Sequence, residues 1–445
     1  MEVIVLAGGL GTRLRSVVKE IPKCLAPICF RTPEGADSCP DPSFLPSRTP
    51  EGTDSCPERP FLGYLLDWLV NQGVEHVVFS VGYLREQVIS YVEGHSWPFK
   101  YDFAIEESPL GTGGGIRLAL EKCYENQVFV VNGDTFFPVQ LKDMPFASAV
   151  TLALKPMKDF DRYGSVSVAL PSEENYFSGR DPKNQFSSDS TKLSHRGALQ
   201  VRAFQEKQHC AEGLINGGVY AIDRGRLDLG SLPERFSFEK EVLEPGAALG
   251  EIGGWVSGAY FIDIGIPEDY RKAQWAIPAW FAVQKASEEV LESEATTLFL
   301  DRDGVLNRHI EGDYVRNPQM WEWMPGIQQA LAKWARKFTH IVLVTNQRGV
   351  GKGVMTDAGL AQVHAHMMQG VLEAGGRIDL ILACTSVSET DPRRKPNPGM
   401  FYEACSLFPD IDAKSSVMLG DAPSDAAFAR NCGMPFILLN PEAAS

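Results

Sequence analysis

The sequence predicts an α/β protein built as two successive units, each with its own sheet. Two observations carry this. Short apolar runs alternate with helix-like segments, and the alternation restarts after an acidic helical stretch, where Thr297–Leu300 opens a fresh series. Alternation of this kind implies mainly parallel strands covered by helices on both faces. The length of 445 residues exceeds what one core ordinarily serves, which agrees with two units.

In the first series, Val3–Ala7, Val77–Val81, Val128–Asn132 and Ala149–Leu154 read as strands, with helices at Phe61–Asn71 and Leu84–Val92. Further strand-like runs follow at Ser165–Ala169, Leu199–Phe204, Val219–Ile222 and Ala259–Asp263. Pro267–Glu294 has a helical pattern and ends in acidic residues, so it closes this unit. The expected boundaries are a first domain over 1–283, a linker over 284–296 and a second domain over 297–445. The second series continues through Ile341–Thr345, Leu380–Ala383, Val417–Gly420 and Phe436–Leu439.

Two regions break the pattern. Pro171–Arg196 is rich in Ser, Asn and charge and reads as a long surface loop. Arg31–Pro40 recurs as Arg48–Pro57, with Ala36 against Thr53 the one difference. Two copies are too few for a solenoid, and the Pro, Gly and acidic content reads as a flexible insert over 30–58. Cys39 and Cys56 have no His or CxxC beside them to make a metal clip.

Composition narrows the function. Apolar content of 44% and charged content of 22% are those of a soluble globular protein. A net charge of −15 argues against nucleic acid or an anionic membrane as the main partner. Anionic substrates then need local cations or a divalent metal. The apolar start Val3–Ala7 is too short for a signal peptide, and no run is long enough to span a membrane. Nine scattered cysteines do not form a secreted disulfide framework, so a cytoplasmic location is expected. A homo-oligomer is left open.

The first chemical pattern is Leu6-Ala7-Gly8-Gly9-Leu10-Gly11-Thr12-Arg13, directly after a strand. Glycines there offer unobstructed backbone amides to phosphate oxygens, Arg13 adds a bidentate partner, and Lys23 is placed to reach the same anion. These residues resemble the sugar-nucleotide pyrophosphorylases, which open on GGxGTRL followed by a PK motif. The resemblance runs to residue 274. Glu106-Glu-Ser-Pro109-Leu110-Gly111-Thr112-Gly113-Gly114 is similar to the base-reading loop of guanylyltransferases acting on mannose- and heptose-type 1-phosphates. Asn132-Gly133-Asp134 and Phe261-Ile262-Asp263 correspond to the segments holding the metal aspartates, here Asp134 and Asp263. Phe204-Gln205-Glu206-Lys207 and Asn216-Gly217-Gly218 correspond to the sugar-phosphate and sugar-lining segments, implying roles for Glu206, Lys207, Asn216 and Gly217. The resemblance implies a Rossmann-like mixed sheet, Mg²⁺ and GTP. A sugar phosphate would attack the α-phosphorus while Arg13, Lys23 and Lys207 offset the developing charge. Two departures stand out: Gln208 replaces the proline usual after the lysine, and Arg59-Pro60-Phe61-Leu62 arrives only after the repeat.

The second pattern is Asp301-Arg302-Asp303-Gly304-Val305-Leu306 after a strand, followed in order by Val344-Thr345-Asn346-Gln347, Arg394-Lys395-Pro396 and Gly420-Asp421-Ala-Pro-Ser-Asp425. This set resembles the haloacid dehalogenase (HAD) superfamily. The resemblance implies an attacking Asp301, a proton-carrying Asp303, and phosphate-binding Thr345 and Lys395. It implies Mg²⁺ held by Asp301, the Asp303 carbonyl and Asp421, supported by Asp425. The short interval between Asp303 and Val344 leaves no room for a large cap, so a capless HAD Rossmannoid domain is expected, with specificity from His309–Trp323.

Asp303-Gly-Val-Leu-Asn307, Gly312-Asp-Tyr314-Val315, Thr345-Asn-Gln-Arg-Gly349-Val-Gly-Lys352-Gly353 and Arg394–Met400 look like the heptose 1,7-bisphosphate 7-phosphatases over residues 297–440. Arg394, helped by Lys352, would then grip the distal 1-phosphate, and Asn346 is a further substrate-binding residue. Many relatives carry a CxH…CxC zinc loop, but Cys384–Pro392 keeps one cysteine and no histidine, which argues against zinc. The histidinol-phosphate phosphatases share these motifs and are the alternative. The two resemblances fit one sequence of reactions, in which the phosphatase leaves an α-anomeric heptose 1-phosphate for the guanylyltransferase. A mannose 1-phosphate enzyme, or an inactive nucleotide-sugar scaffold joined to a phosphatase, are the competing readings.

Overall fold

The computed structural model describes residues 1–9, 14, 20–29, 59–169, 199–205 and 207–441. Contacts divide the chain into two units, one ending at Ala273 and the other running from Gln274. Gly11, Thr12, Arg13, Glu206, the 30–58 repeat and the whole 171–196 loop lie outside the described residues.

The first unit is organised by a nine-stranded sheet. Its spatial order is Lys100–Ile105, His76–Val81, Glu2–Leu6, Gln127–Asn132, Cys210–Asp223, Val150–Phe160, Ile252–Val256, Leu199–Phe204 and Val166–Ala169. The first four run parallel. Cys210–Asp223 is antiparallel to both its neighbours, so the sheet is mixed, as expected. Val3, Ile4 and Val5 are completely buried, because this strand lies inside a parallel block covered on both faces. Register matters for the site: Leu6 stands beside Ser80 and Asn132, and Ser80 beside Ala104. The segments that follow (Ala7–Gly9, Gly82, Glu106 and Gly133–Asp134) therefore leave the sheet along one carboxyl-terminal rim, where open α/β sheets bind ligands.

Among the elements not anticipated, three are instructive. The edge strand Lys100–Ile105 and the strand Ile252–Val256 carry too few consecutive apolar residues to stand out. Helix Gly111–Leu120 begins Gly-Thr-Gly-Gly-Gly, a sequence with poor helix propensity. Its glycines answer close contacts instead. A Cβ at Gly113 would lie 2.1 Å from the Phe236 ring, and one at Gly111, whose φ is +76°, 2.5 Å from the Phe236 carbonyl.

The second unit has a five-stranded, all-parallel sheet ordered Leu380–Cys384, His340–Asn346, Thr297–Leu300, Ser416–Gly420, Phe436–Leu438. The central strand ends at Leu300, and the Asp301 amide donates to the Leu419 carbonyl at 3.0 Å. Asp301, Thr345 and Asp421 thus emerge on one rim. The helix Pro267–Glu292 is continuous. Its residues from Gln274 group with the second unit, where the Arg308 guanidinium lies 5.0 Å from the Trp275 ring centre. Lys337 Nζ caps the helix end, donating to the Val290 and Leu291 carbonyls at 3.0 and 2.6 Å. The stretch read as a linker over 284–296 is therefore packed helix for most of its length, and the division falls earlier than residue 283. Among the described residues no helix is long and apolar enough to cross a membrane.

Candidate active sites

On the rim of the first unit, Gly8, Gly82 and Gly115 surround the Glu106 carboxyl group. A Cβ at Gly8 or Gly115 would stand 2.9 or 2.8 Å from Glu106 Oε1. Glu106 Oε2 accepts from the Leu110 amide at 2.9 Å, and the Ser80 hydroxyl donates to Oε1 at 3.4 Å. Burial pushes the Glu106 pKa above the ordinary carboxylate value. The side chain of Thr112 is engaged within the fold: its hydroxyl donates to Glu239 at 2.8 Å and accepts from the Phe238 amide at 2.9 Å. Pro109 is exposed just ahead of the glycine-rich helix.

Lys23 Nζ pairs with Asp134 Oδ2 at 2.9 Å. Asp134 sits in a turn that only a glycine at 133 permits, because a Cβ there would lie 2.5 Å from the Leu6 carbonyl. Asp263 comes to the same place by a two-stranded sheet, in which it faces Thr135. The Ile264 amide donates to the Asp134 carbonyl at 3.0 Å. Two carboxylates far apart in sequence are thereby joined. Asn216 and Gly217 lie where the pairing of Cys210–Asp223 with Val150–Phe160 shifts register. Asn216 Nδ2 donates to Tyr220 Oη at 3.0 Å, and Gly217 packs on the Phe137 ring. Lys207 is exposed.

The second site surrounds a cavity of about 310 Å³, lined by Asp301, Asp303, Thr345, Asn346, Lys352, Lys395 and Asp421, among others. Most of its outer wall, His309 to Val315, comes from the loop expected to set specificity. Lys395 is almost fully buried, its ammonium 2.8 Å from Asp301 Oδ1 and 2.6 Å from Asp425 Oδ1. Asp301, Asp421 and Asp425 offer oxygens within 4.8 Å of one another. Three carboxylates against one ammonium leave excess negative charge. Burial, with the neighbouring carboxylates, pushes Asp301 up to about 6 and Asp421 up to about 8. Burial works against the Lys395 charge, but Asp301 and Asp425 outweigh it and raise its pKa. An all-oxygen donor set with uncompensated negative charge fits a hard divalent cation such as Mg²⁺. Among the described residues this is the one group of three or more His, Cys, Asp or Glu side chains so placed. At the first site Asp134 and Asp263 supply two carboxylates, enough for an Mg²⁺ that also takes substrate phosphates.

Asp303 is held from several sides. Arg302 donates to both its oxygens at 2.9 Å, Asn307 Nδ2 to Oδ1 at 2.9 Å, and Gln347 Nε2 to Oδ2 at 2.8 Å. Burial opposes its charge, but Arg302 and these donors hold its pKa below the ordinary value. Arg302, Asn307 and Gln347 stand inside the sequence motifs, but the motifs assign them no role. Asn346 exchanges hydrogen bonds with the Lys395 backbone, both at 3.0 Å, so it positions that lysine. Lys352 lines the cavity, its ammonium 5.5 Å from the Tyr314 ring centre. Arg394 differs: it is buried, absent from the cavity lining, and donates to the Ser386 carbonyl at 3.4 Å. Cys384 is a buried free thiol with no histidine in its loop.

The first unit thus has the fold and rim of a nucleotidyltransferase, and the second has those of a HAD-type phosphatase. Comparison with known proteins makes both more particular. The family model described as polynucleotide kinase 3 phosphatase matches residues 297–443. A D-glycero-alpha-D-manno-heptose 1-phosphate guanylyltransferase from Aneurinibacillus thermoaerophilus is 39% identical over 62% of this chain and 97% of its own. A D-glycero-alpha-D-manno-heptose-1,7-bisphosphate 7-phosphatase from Mycobacterium tuberculosis is 41% identical over 30% of this chain and 71% of its own. The crystal structure of HddC from Yersinia pseudotuberculosis, at 30% identity, covers 61% of this chain and 97% of its own with a TM-score of 0.45. The chain belongs to both of these heptose families, the guanylyltransferases through its first part and the 7-phosphatases through its second. It is a fusion of the two.

Proposed function

We propose that the chain is a bifunctional enzyme acting in sequence. Its second unit removes the 7-phosphate from D-glycero-α-D-manno-heptose 1,7-bisphosphate. Its first unit then transfers GMP from GTP to the heptose 1-phosphate and releases pyrophosphate. The observation that carries this is the pairing of relatives. One half resembles an enzyme named for the bisphosphate, the other an enzyme named for the monophosphate, with the same α configuration. GTP and phosphorylated sugars as substrates make the cytoplasm the expected location.

In the phosphatase, Asp301 attacks the 7-phosphorus and the sugar oxygen leaves with a proton from Asp303. Asp303 then takes a proton from the water that hydrolyses the aspartyl phosphate. Thr345 and Lys395 bind the phosphoryl oxygens, and Lys352 attracts the distal 1-phosphate. Asp301, the Asp303 carbonyl, Asp421 and Asp425 would hold Mg²⁺, which when bound neutralises charge between two anions. The buried position of Arg394 favours support of the Lys395 segment over direct contact with substrate.

In the transferase, the Leu6–Gly9 segment together with Gly11, Thr12 and Arg13 cradles the triphosphate, the Ala7 amide itself being held by the Ser80 carbonyl. Lys23 offsets charge at the α-phosphorus. Asp134 and Asp263 would hold the metal there. Glu106, with Pro109, Gly111 and Thr112 shaping the loop, faces the base. Glu206, Lys207, Asn216 and Gly217 take the sugar phosphate.

The test is a coupled assay of the purified chain with the bisphosphate, GTP and Mg²⁺. Inorganic phosphate, pyrophosphate and a GDP-sugar should all form. Pyrophosphate released equally from mannose 1-phosphate, or ATP used as readily as GTP, would redirect the reading.

A further inference from the structure

We propose that Gln347 is a positioning residue of the phosphatase site, tying the proton-carrying Asp303 to the phosphate-binding Thr345; this rests on the phosphatase reading above. Gln347 is completely buried. Its one amide nitrogen donates to Asp303 Oδ2 at 2.8 Å and to Thr345 Oγ1 at 2.8 Å, which uses both of its hydrogens. The opposite amide orientation would set its carbonyl oxygen against the Asp303 carboxylate, so this orientation is required. The cost is visible, because Gln347 Oε1 is buried and makes no hydrogen bond among the described residues. A buried acceptor left without a partner is retained when the same group does something else.

Two consequences follow from the donor count. Asp303 Oδ1 accepts from Asn307 and from Arg302, whereas Oδ2 accepts from one Arg302 nitrogen and Gln347. With two donors against three, Oδ2 is the less burdened oxygen and the one that more readily exchanges a donor for a proton, and Gln347 fixes its direction. On the other side, Thr345 Oγ1 already accepts from Gln347, so its single proton is free to donate to a phosphoryl oxygen. One side chain thus sets the angle of the proton donor relative to the phosphoryl group. During transfer the bond from phosphorus to the ester oxygen breaks. The oxygen takes the Asp303 proton, leaving a carboxylate. A misaimed Oδ2 lets the oxygen leave with its negative charge, which a poor leaving group tolerates badly.

The experiment uses the full chain and Gln347→Met, which keeps the length of the side chain and donates nothing. Substituted phenyl phosphates from 4-nitrophenyl to phenyl vary only the need for the proton. The rate ratio of 4-nitrophenyl over phenyl phosphate should rise about tenfold or more in the variant, and kcat for phenyl phosphate should fall about 10–100-fold with little change in KM. An unchanged ratio, with both substrates slowed equally or neither slowed, overturns the proposal. Should circular dichroism show Gln347→Met unfolded, the same ratio is read in Gln347→Asn, which keeps the amide and shortens its reach. Heptose 1,7-bisphosphate is assayed with the unaltered chain in parallel. Turnover of phenyl phosphates without turnover of the bisphosphate would defeat the functional reading and leave the Gln347 test standing.

Discussion

At Asp301 the balance of charge decides behaviour, because two further carboxylates and one ammonium share its buried surroundings. Removing its charge should leave the fold and abolish phosphate release. Asp301→Asn is expected to lose at least about a thousandfold in phosphatase kcat, while pyrophosphate release from heptose 1-phosphate and GTP is unaffected. The same cluster makes a pH prediction. Asp421 is raised to about 8 and Asp301 to about 6, so the folded chain holds protons that the unfolded chain gives up near 4. Their contribution to stability is therefore full below about pH 4 and is lost as pH rises toward 8. A bound divalent cation displaces those protons and reverses the loss. The increase in melting temperature on adding Mg²⁺ should thus be larger at pH 8 than at pH 5.5; an equal increase at both would show that the cation binds elsewhere. Individual roles were only partly legible in the sequence. Asp301, Lys395 and Asp421 lie in contiguous motifs, and so do Asn307 and Gln347, but the clamp these two make on Asp303 comes from a turn and from just beyond the end of another strand, and no spacing announces that.

The elements explain why glycines crowd both sites. Gly304 has φ of +83°, and a Cβ there would lie 1.9 Å from Asp421 Oδ2. Gly304→Ala should therefore eliminate phosphatase activity, at a conformational cost of roughly 1–2 kcal/mol, measured by phosphate release and chemical denaturation together. Gly113 faces the Phe236 ring instead of open solvent. Gly113→Ala should cost about 1–3 kcal/mol by overpacking, and Phe236→Leu should recover part of that loss in a double-mutant cycle. A fully additive cycle would mean the two do not touch. These contacts also mark the limit of pattern reading. The short strand Thr297–Leu300 was legible because its apolar run is continuous and buried. Helix Gly111–Leu120 was not, because its glycines are chosen by close contacts, chiefly with Phe236, which is distant in sequence. The strand Cys210–Asp223 was seen only over Val219–Ile222; its earlier residues include Gly213, Gly217 and Gly218, pass through a register shift and lack a clear period.

Across the whole molecule, the order of two sheets and the identity of each chemistry were readable, since each half carries several motifs at strand ends. The division between them was misjudged. A helix that begins in the first unit continues as packing for the second, and helical periodicity does not reveal which core a helix serves. The functional account makes the second unit act before the first. Its most direct test is Asp301→Asn given heptose 1,7-bisphosphate, GTP and Mg²⁺, with pyrophosphate as the readout. The account predicts none from the bisphosphate and full release once heptose 1-phosphate is supplied. Pyrophosphate formed from the bisphosphate by this variant would contradict it.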